Sequence, residues 1–400
     1  MTTAQKTTCL RCDDHLCLRS IQPCTVWTSD IMTTQHVDLV SKYQSAPLNI
    51  FNLLVPVHER GRTIPVHEDQ ISIYHSIHFQ LRIIMIPIMK TLLVGLLLAC
   101  CISTNAQQIS KDELLFLTPD WKGERFPDGR PKVPDAILNR MKLVTLEEAW
   151  AVLRNENFKH QYADGWMMIN PDSVLVGRAV TAIFMPGRPD IHQVIDDRGH
   201  NRDKRVKSQN SWPIDMLTKR DVYVVDQFGA HEDGPTIGDN LGNSIYAKTG
   251  NGIVYDGAIR DIDGLKEIGS FTSFFRTYHP SHHLNDPKGQ LNTTLVGINT
   301  PTRIGGATVM PGDIVLGRDG GVIFIPPHLA EKVVKTSEIV RLRDMFGHQR
   351  LREQRYTPGQ IDSKWSDEIE KDFSQWLNAN IDKLPVPKEQ IQELLKQRTW

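Results

Sequence analysis

Gly238-Asp239-Asn240-Leu241-Gly242-Asn243-Ser244-Ile245-Tyr246-Ala247-Lys248-Thr249-Gly250 runs into Asn251-Gly252-Ile253-Val254-Tyr255-Asp256-Gly257-Ala258-Ile259-Arg260-Asp261. The stretch reads as cap, helix, turn, strand and loop. Asp239 or Asn240 can cap a helix that buries Leu241 and Ile245, and Gly250 and Gly252 stop it before the strand Ile253-Val254-Tyr255. A helix of about ten residues travels roughly 15 Å, and five or six extended residues return about 17–20 Å. The chain therefore comes back to the level at which it left. Asp239, the N–H groups of Asn240 and Leu241, Arg260 and Asp261 are predicted to meet at one edge of the domain, a place suited to a small anion and a hard metal ion.

Outward from this unit, apolar runs predict strands at 173–184, 221–226, 270–275, 293–298, 307–309, 314–316 and 322–325, with a helix beginning near Pro327. Many short strands with few helices between them argue against a doubly wound nucleotide fold. Thr145 and Glu148 have the form of a capping box for a helix burying Leu146, Ala149, Trp150 and Leu153. Residues 186–212 are polar and read as a functional loop carrying His192, Asp196, Asp197 and His200. The compact domain spans 139–335. An extended leader rich in Pro, Asp and Lys precedes it at 107–138, and a helical extension at 336–400 follows, with Trp365, Phe373, Trp376 and Trp400 as packing residues.

The first part of the chain is of another character. Met89-Lys90-Thr91 followed by an apolar run to Ala99, then Ser103-Thr104-Asn105-Ala106, has the form of a secretory signal peptide at 89–106. That predicts an exported protein, periplasmic or secreted, with no membrane span in the mature chain. The lipobox-like Leu97-Leu98-Ala99-Cys100 offers lipoprotein anchoring as the alternative. Residues 1–88 lack sustained periodicity and read as disordered or non-native upstream sequence, with translation starting at Met89; a genuine extension with an internal anchor is the rival. All six cysteines precede the expected cleavage, so no thiolate serves the working domain. Cys9, Cys12, His15, Cys17 and Cys24 have no finger-like apolar pattern around them to support a zinc site. A net charge of −1 does not suit nucleic acid, and the lone cluster Lys204-Arg205-Val206-Lys207 reads as a solvated loop.

Asp239, twenty intervening residues and then Arg260-Asp261 resembles the signature of the RraA-like family. Val224-Val225-Asp226, Gly252 to Gly257, Gly305 to Asp313 and Gly321 to Pro326 fall in that family's order. The family includes class II pyruvate aldolases acting on 4-hydroxy-4-methyl-2-oxoglutarate and regulators of ribonuclease E. The resemblance implies an α/β fold of the three-layer β/β/α swivelling-domain type, assembled as a homotrimer or hexamer. It also implies a divalent metal, Mg²⁺ or Mn²⁺, ligated by Asp261. Asp239 would hold metal-bound water, Arg260 would grip the oxygens of a small 2-keto acid, and the Asn240 and Leu241 N–H groups would receive its carboxylate.

The activity implied is metal-dependent carbon–carbon cleavage to pyruvate, with oxaloacetate decarboxylation as a related reaction. The alternatives are a non-catalytic binding protein and a lyase for a sugar-derived acid. Two departures stand out. The stretch Gly317 to Gly321 has one acidic residue where several are usual, and His279, His282 and His283 enrich the loop after residue 276 as candidates to extend a metal site. A neighbouring subunit's glutamate completes the family site, and Glu338 lies in a plausible region.

Overall fold

A computed structural model describes residues 107–230, 234–281 and 292–396. Chain contacts divide the protein into residues 1–100 and 101–400, and every described residue belongs to the second unit. The signal-like segment, the six cysteines, His282, His283 and Trp400 lie outside the described residues.

The strands, in chain order, are β1 (Tyr162–Ala163), β2 (Met167–Ile169), β3 (Leu175–Pro186), β4 (Asp221–Asp226), β5 (Ile253–Ile259), β6 (Ser273–Tyr278), β7 (Thr293–Ile298), β8 (Thr302–Ile304), β9 (Ala307–Val309), β10 (Ile314–Arg318) and β11 (Gly321–Ile325). One mixed sheet runs β1-β11-β10-β3-β4-β5-β6-β2, with β7 also paired to β3. Its centre, β3-β4-β5-β6, is parallel. Strands covered on both faces read as continuous apolar runs, and β4 and β5 are of that kind.

The two faces of the parallel centre have different covers. Val180, Tyr223, Val225, Ile253 and Tyr255 share a core with Trp212, Ile245 and Leu265, which come from the helices Trp212–Asp215, Asp239–Thr249 and Ile262–Lys266. On the other face, Ala179, Val222, Val224 and Val254 pack against Val309, Val315 and Phe324. The sheet thus curls so that β10, β11 and the β8-β9 hairpin form a second β layer. Helix, sheet and second β layer give the three-layer order expected. The outer side of β10 and β11 is covered in turn by helices Asp135–Met141, Leu146–Asn155 and Ala330–Arg352.

Four expectations need correction. The leader 107–138 is not merely extended: it contains helices Lys111–Leu117 and Asp135–Met141 and drives Arg130 into the interior, 1% exposed, against the fully buried Asp221 at 3.2 Å. The polar stretch after residue 186 contains a helix, Pro189–Asn201, which Pro189 opens at its first turn and whose Gly199 lies against Trp212. The Thr145/Glu148 capping box forms, yet Trp150 faces outward at 44% exposure with Arg154 stacked 5.0 Å over its ring. Glu338 is buried under a two-point bond from Arg140 at 2.8 and 2.6 Å, so it is committed within its own chain.

The C-terminal extension is helical, as expected, with Asp367–Asn380 and Lys388–Lys396 after the long helix. Trp365, Phe373 and Trp376 cluster with Phe346 of that helix. Among the described residues no helix is long and apolar enough to cross a membrane.

Candidate functional site

Helix Asp239–Thr249 forms largely as the sequence dictates. Ile245 is buried, Leu241 is half-buried against the same core, and Gly250 ends the helix in the left-handed conformation, φ 69°, its N–H reaching the Tyr246 carbonyl at 2.7 Å. The cap differs from expectation. Gly238 occupies the N-cap position with no side-chain bond, and Asp239 is the first helical residue. A glycine there leaves the Asp239 carboxylate uncommitted to capping the second turn.

Strand β5 then returns the chain, and a backbone bond from the Arg260 N–H to the Ile237 carbonyl, 3.1 Å, ties the strand's end to the approach of the helix. This bond brings the two motif halves together. Asp261 follows at φ 55°, ψ 44°, a left-handed conformation that aspartate tolerates better than most side chains. It sits at the cap position of Ile262–Lys266 but makes no side-chain cap bond. Its Oδ2 lies instead 3.2 Å from the Arg260 Nε, and the two side chains are about equally exposed, 35% and 33%.

Two glycines let the carboxylates approach. A Cβ on Gly238 would stand 2.3 Å from the Asp261 Oδ2 and 3.1 Å from the Arg260 Nε. A Cβ on Gly264 would stand 2.9 Å from the Asp239 Oδ2. Each carboxylate therefore rests on the bare backbone of the opposite segment. Asp239 and Asp261 line one open cavity of about 660 Å³ together with Asp263 and Lys266. Its apolar side comes from Met167, Ile169, Ile262, Phe275 and Tyr278.

The structure thus gathers Asp239, Arg260 and Asp261 as the sequence reading expected. The two N–H groups differ. The Asn240 N–H donates to the Asp239 Oδ1 at 2.7 Å, so it holds that carboxylate rather than standing open for a ligand. The Leu241 N–H, at the third helical position, has no intrahelical acceptor within reach. His279 is bonded through Nδ1 to the Ser281 Oγ, 2.9 Å, and does not line the cavity.

Asp263, Lys266, Met167 and Tyr278 were not singled out from sequence. Asp263 and Lys266 follow Asp261 on the next helical turn, which the spacing could have revealed. Met167 arrives on a three-residue edge strand that pairs Met167 with Phe275, and nothing local announces that pairing. Among the described residues no three His, Cys, Asp or Glu side chains converge as a ready-made metal cage. The donors present, carboxylate oxygens on an open cavity, suit a hard cation that keeps much of its water.

The curled mixed sheet and the paired Asp239 and Arg260-Asp261 segments define an α/β domain of RraA type. Residues 132–324 match the RraA-like family model, described as Aldolase/RraA. The family contains both lyases and non-catalytic regulators. A curated relative, Protein DlpA of Legionella pneumophila, is 28% identical over 131 residues, which is 33% of this chain and only 20% of DlpA. Among solved structures, Streptomyces coelicolor RraAS2, an unusual member of the RNase ES inhibitor RraA protein family, is 23% identical, with 55% of this chain and all of that one covered at a TM-score of 0.46. An uncharacterized protein from Pseudomonas syringae pv. tomato is 21% identical, covering 60% of this chain and 99% of its own at a TM-score of 0.47.

Proposed function

We propose that the domain is a divalent-metal-dependent carbon–carbon lyase that cleaves a 4-hydroxy-2-keto acid to pyruvate, with oxaloacetate decarboxylation as a second reaction of the same site. One observation carries this reading: Asp239 and Asp261, from separate segments, line a single cavity with Arg260 bonded to Asp261. The all-oxygen donor set fits Mg²⁺ or Mn²⁺, which Asp261 would ligate and beside which Asp239 would hold water. A cation so held supplies Lewis-acid stabilisation of the negative charge that bond cleavage leaves on the keto oxygen.

The chain's own residues do the rest. Arg260, its Nε beside Asp261, would turn its remaining N–H groups to the substrate's carboxylate in a planar fork. The Leu241 N–H at the positive end of its helix adds a second anion donor. Asp239, held through Oδ1 by the Asn240 N–H, keeps Oδ2 to position the water that returns a proton to the enolate carbon.

The test is pyruvate release from 4-hydroxy-4-methyl-2-oxoglutarate and from oxaloacetate, with Mg²⁺, with EDTA, and with Asp261→Ala. Release that needs metal and is lost in the variant is the expected result. No release from either substrate with metal present would leave the fold standing and shift the reading to another substrate or to a binding role. We also propose that the protein works as a homotrimer or hexamer, checked by light scattering, and that it is exported, checked by whether the mature N-terminus lies near Gln107.

A further inference from the structure

A second cavity, of about 190 Å³, lies between the leader and the second β layer and shares no lining residue with the one that Asp239 lines. Leu117 to Trp121 of the leader close one side of it, outside residues 132–324 of the family match. Phe158 and Gln161 form another, and Asp313 lines it while only 2% exposed. The Asp313 Oδ2 accepts from the Met310 N–H at 2.8 Å, and among the described residues its carboxyl has no other hydrogen bond. Burial pushes that carboxyl up to about 7, and no lining residue is a Lys or Arg that could hold it down.

Several donors of the lining are already bound, and acceptors are left. The Gln161 Nε2 gives its two hydrogens to the Thr308 and Phe324 carbonyls, at 3.2 and 2.9 Å, which leaves Oε1 to accept. The Thr118 hydroxyl donates to the Leu114 carbonyl at 2.6 Å. Trp121 gives its indole N–H to the Glu124 carbonyl, 2.8 Å, and so meets the cavity as aromatic surface. Aromatic surface attracts cations, and a buried carboxylate gains most from a charged donor. An apolar cavity of about 150 Å³ takes benzene, so this one has room for about eight non-hydrogen atoms. We propose that the cavity binds a small organic ammonium, its N–H groups on Asp313 and Gln161 and its apolar body against Trp121 and Phe158. This site is independent of the lyase reading.

The test is calorimetric titration of the full chain at pH 8, where Asp313 is ionised, with benzylammonium, benzyl alcohol and benzoate, probes of similar size and different charge. Benzylammonium should bind roughly tenfold or more tighter than benzyl alcohol, the scale of a charge-assisted hydrogen bond, and benzoate most weakly. Asp313→Asn, which keeps an acceptor for the Met310 N–H, should erase that preference. Should this buried variant fail to fold, Trp121→Ala in the half-buried wall gives the decision, with benzylammonium weakened by roughly fivefold or more. No binding of benzylammonium, equal or tighter binding of the alcohol or the acid, or wild-type affinity in either folded variant would overturn the proposal.

Discussion

Gly238→Ala is the substitution whose consequence is most sharply drawn by the geometry. The residue has φ −138°, an ordinary extended value for alanine, so the backbone offers no objection. The added methyl would meet the Asp261 Oδ2 at 2.3 Å, and real Cβ contacts stay beyond 3.0 Å, so the carboxylate must retreat by roughly 0.7 Å. The Arg260 Nε, 3.1 Å from the same methyl, is crowded too. Misplacing reacting groups by about 1 Å costs on the order of 10²-fold in rate, so kcat/KM for pyruvate release should fall between roughly tenfold and a hundredfold. Stability should change by less than about 1 kcal/mol. The crowded side chains are a third exposed and can swing toward solvent, and alanine narrows the unfolded ensemble. Parallel assays of pyruvate release and urea unfolding decide the matter. Unchanged activity, or activity lost only in step with stability, would refute the claim that this glycine exists to seat Asp261.

Gly264→Ala should act on the other carboxylate in the same way, because its methyl would lie 2.8 Å from the Asp239 Cβ and 2.9 Å from its Oδ2; a fall in kcat/KM for pyruvate release is expected, and unchanged activity would refute the role of this close approach. Arg130→Leu strands the buried Asp221 carboxylate with its Thr218 donors and with Arg178 4.0 Å away, and should cost about 3 kcal/mol in denaturant unfolding; a loss under about 1 kcal/mol would show that Arg178 takes over. Burial pushes the Asp313 carboxyl up to about 7, with the Met310 N–H opposing the rise. Between the unfolded value near 3.8 and about 7 the folded protein keeps a proton the unfolded chain has lost, so this group's contribution falls as pH rises through that window and is flat above it. The drop is on the order of 4 kcal/mol at most, and Asp313→Asn should flatten it; identical stability–pH curves for the two proteins would remove the assignment.

Helix Asp239–Thr249 and strands β4 and β5 were legible because their signals are local: Gly250 past the last turn, and runs such as Asp221 to Asp226 whose every residue but the last is buried. The meeting of Asp239 with Arg260 and Asp261 was legible for the same reason, since one helix and one strand of matched length lie between them. Other features answer only to distant partners. Strand β2 exists because Met167 finds Phe275, more than a hundred residues later. Helix Pro189–Asn201 buries little beyond Gly199, so its polar sequence looked like a loop until Trp212 was in place beside it. Arg130 reads as a surface charge until Asp221 is seen across from it. The Asn240 N–H was assigned to a ligand because sequence cannot say that the neighbouring Asp239 carboxylate turns back to claim it.

The leader's attachment also sets an order of events in folding. Arg130 reaches Asp221 across 91 residues, and the Gln107 side chain reaches the Leu295 carbonyl across 188. Closing loops of such length is slow, and each contact needs its distant strand in place, β4 for Asp221 and β7 for Leu295. The first residues of the domain to leave the ribosome are therefore among the last to find their places. A chain cut short before β7 would leave Gln107 without its acceptor. One begun after Arg130 would leave the buried Asp221 carboxylate to its Thr218 donors and the more distant Arg178.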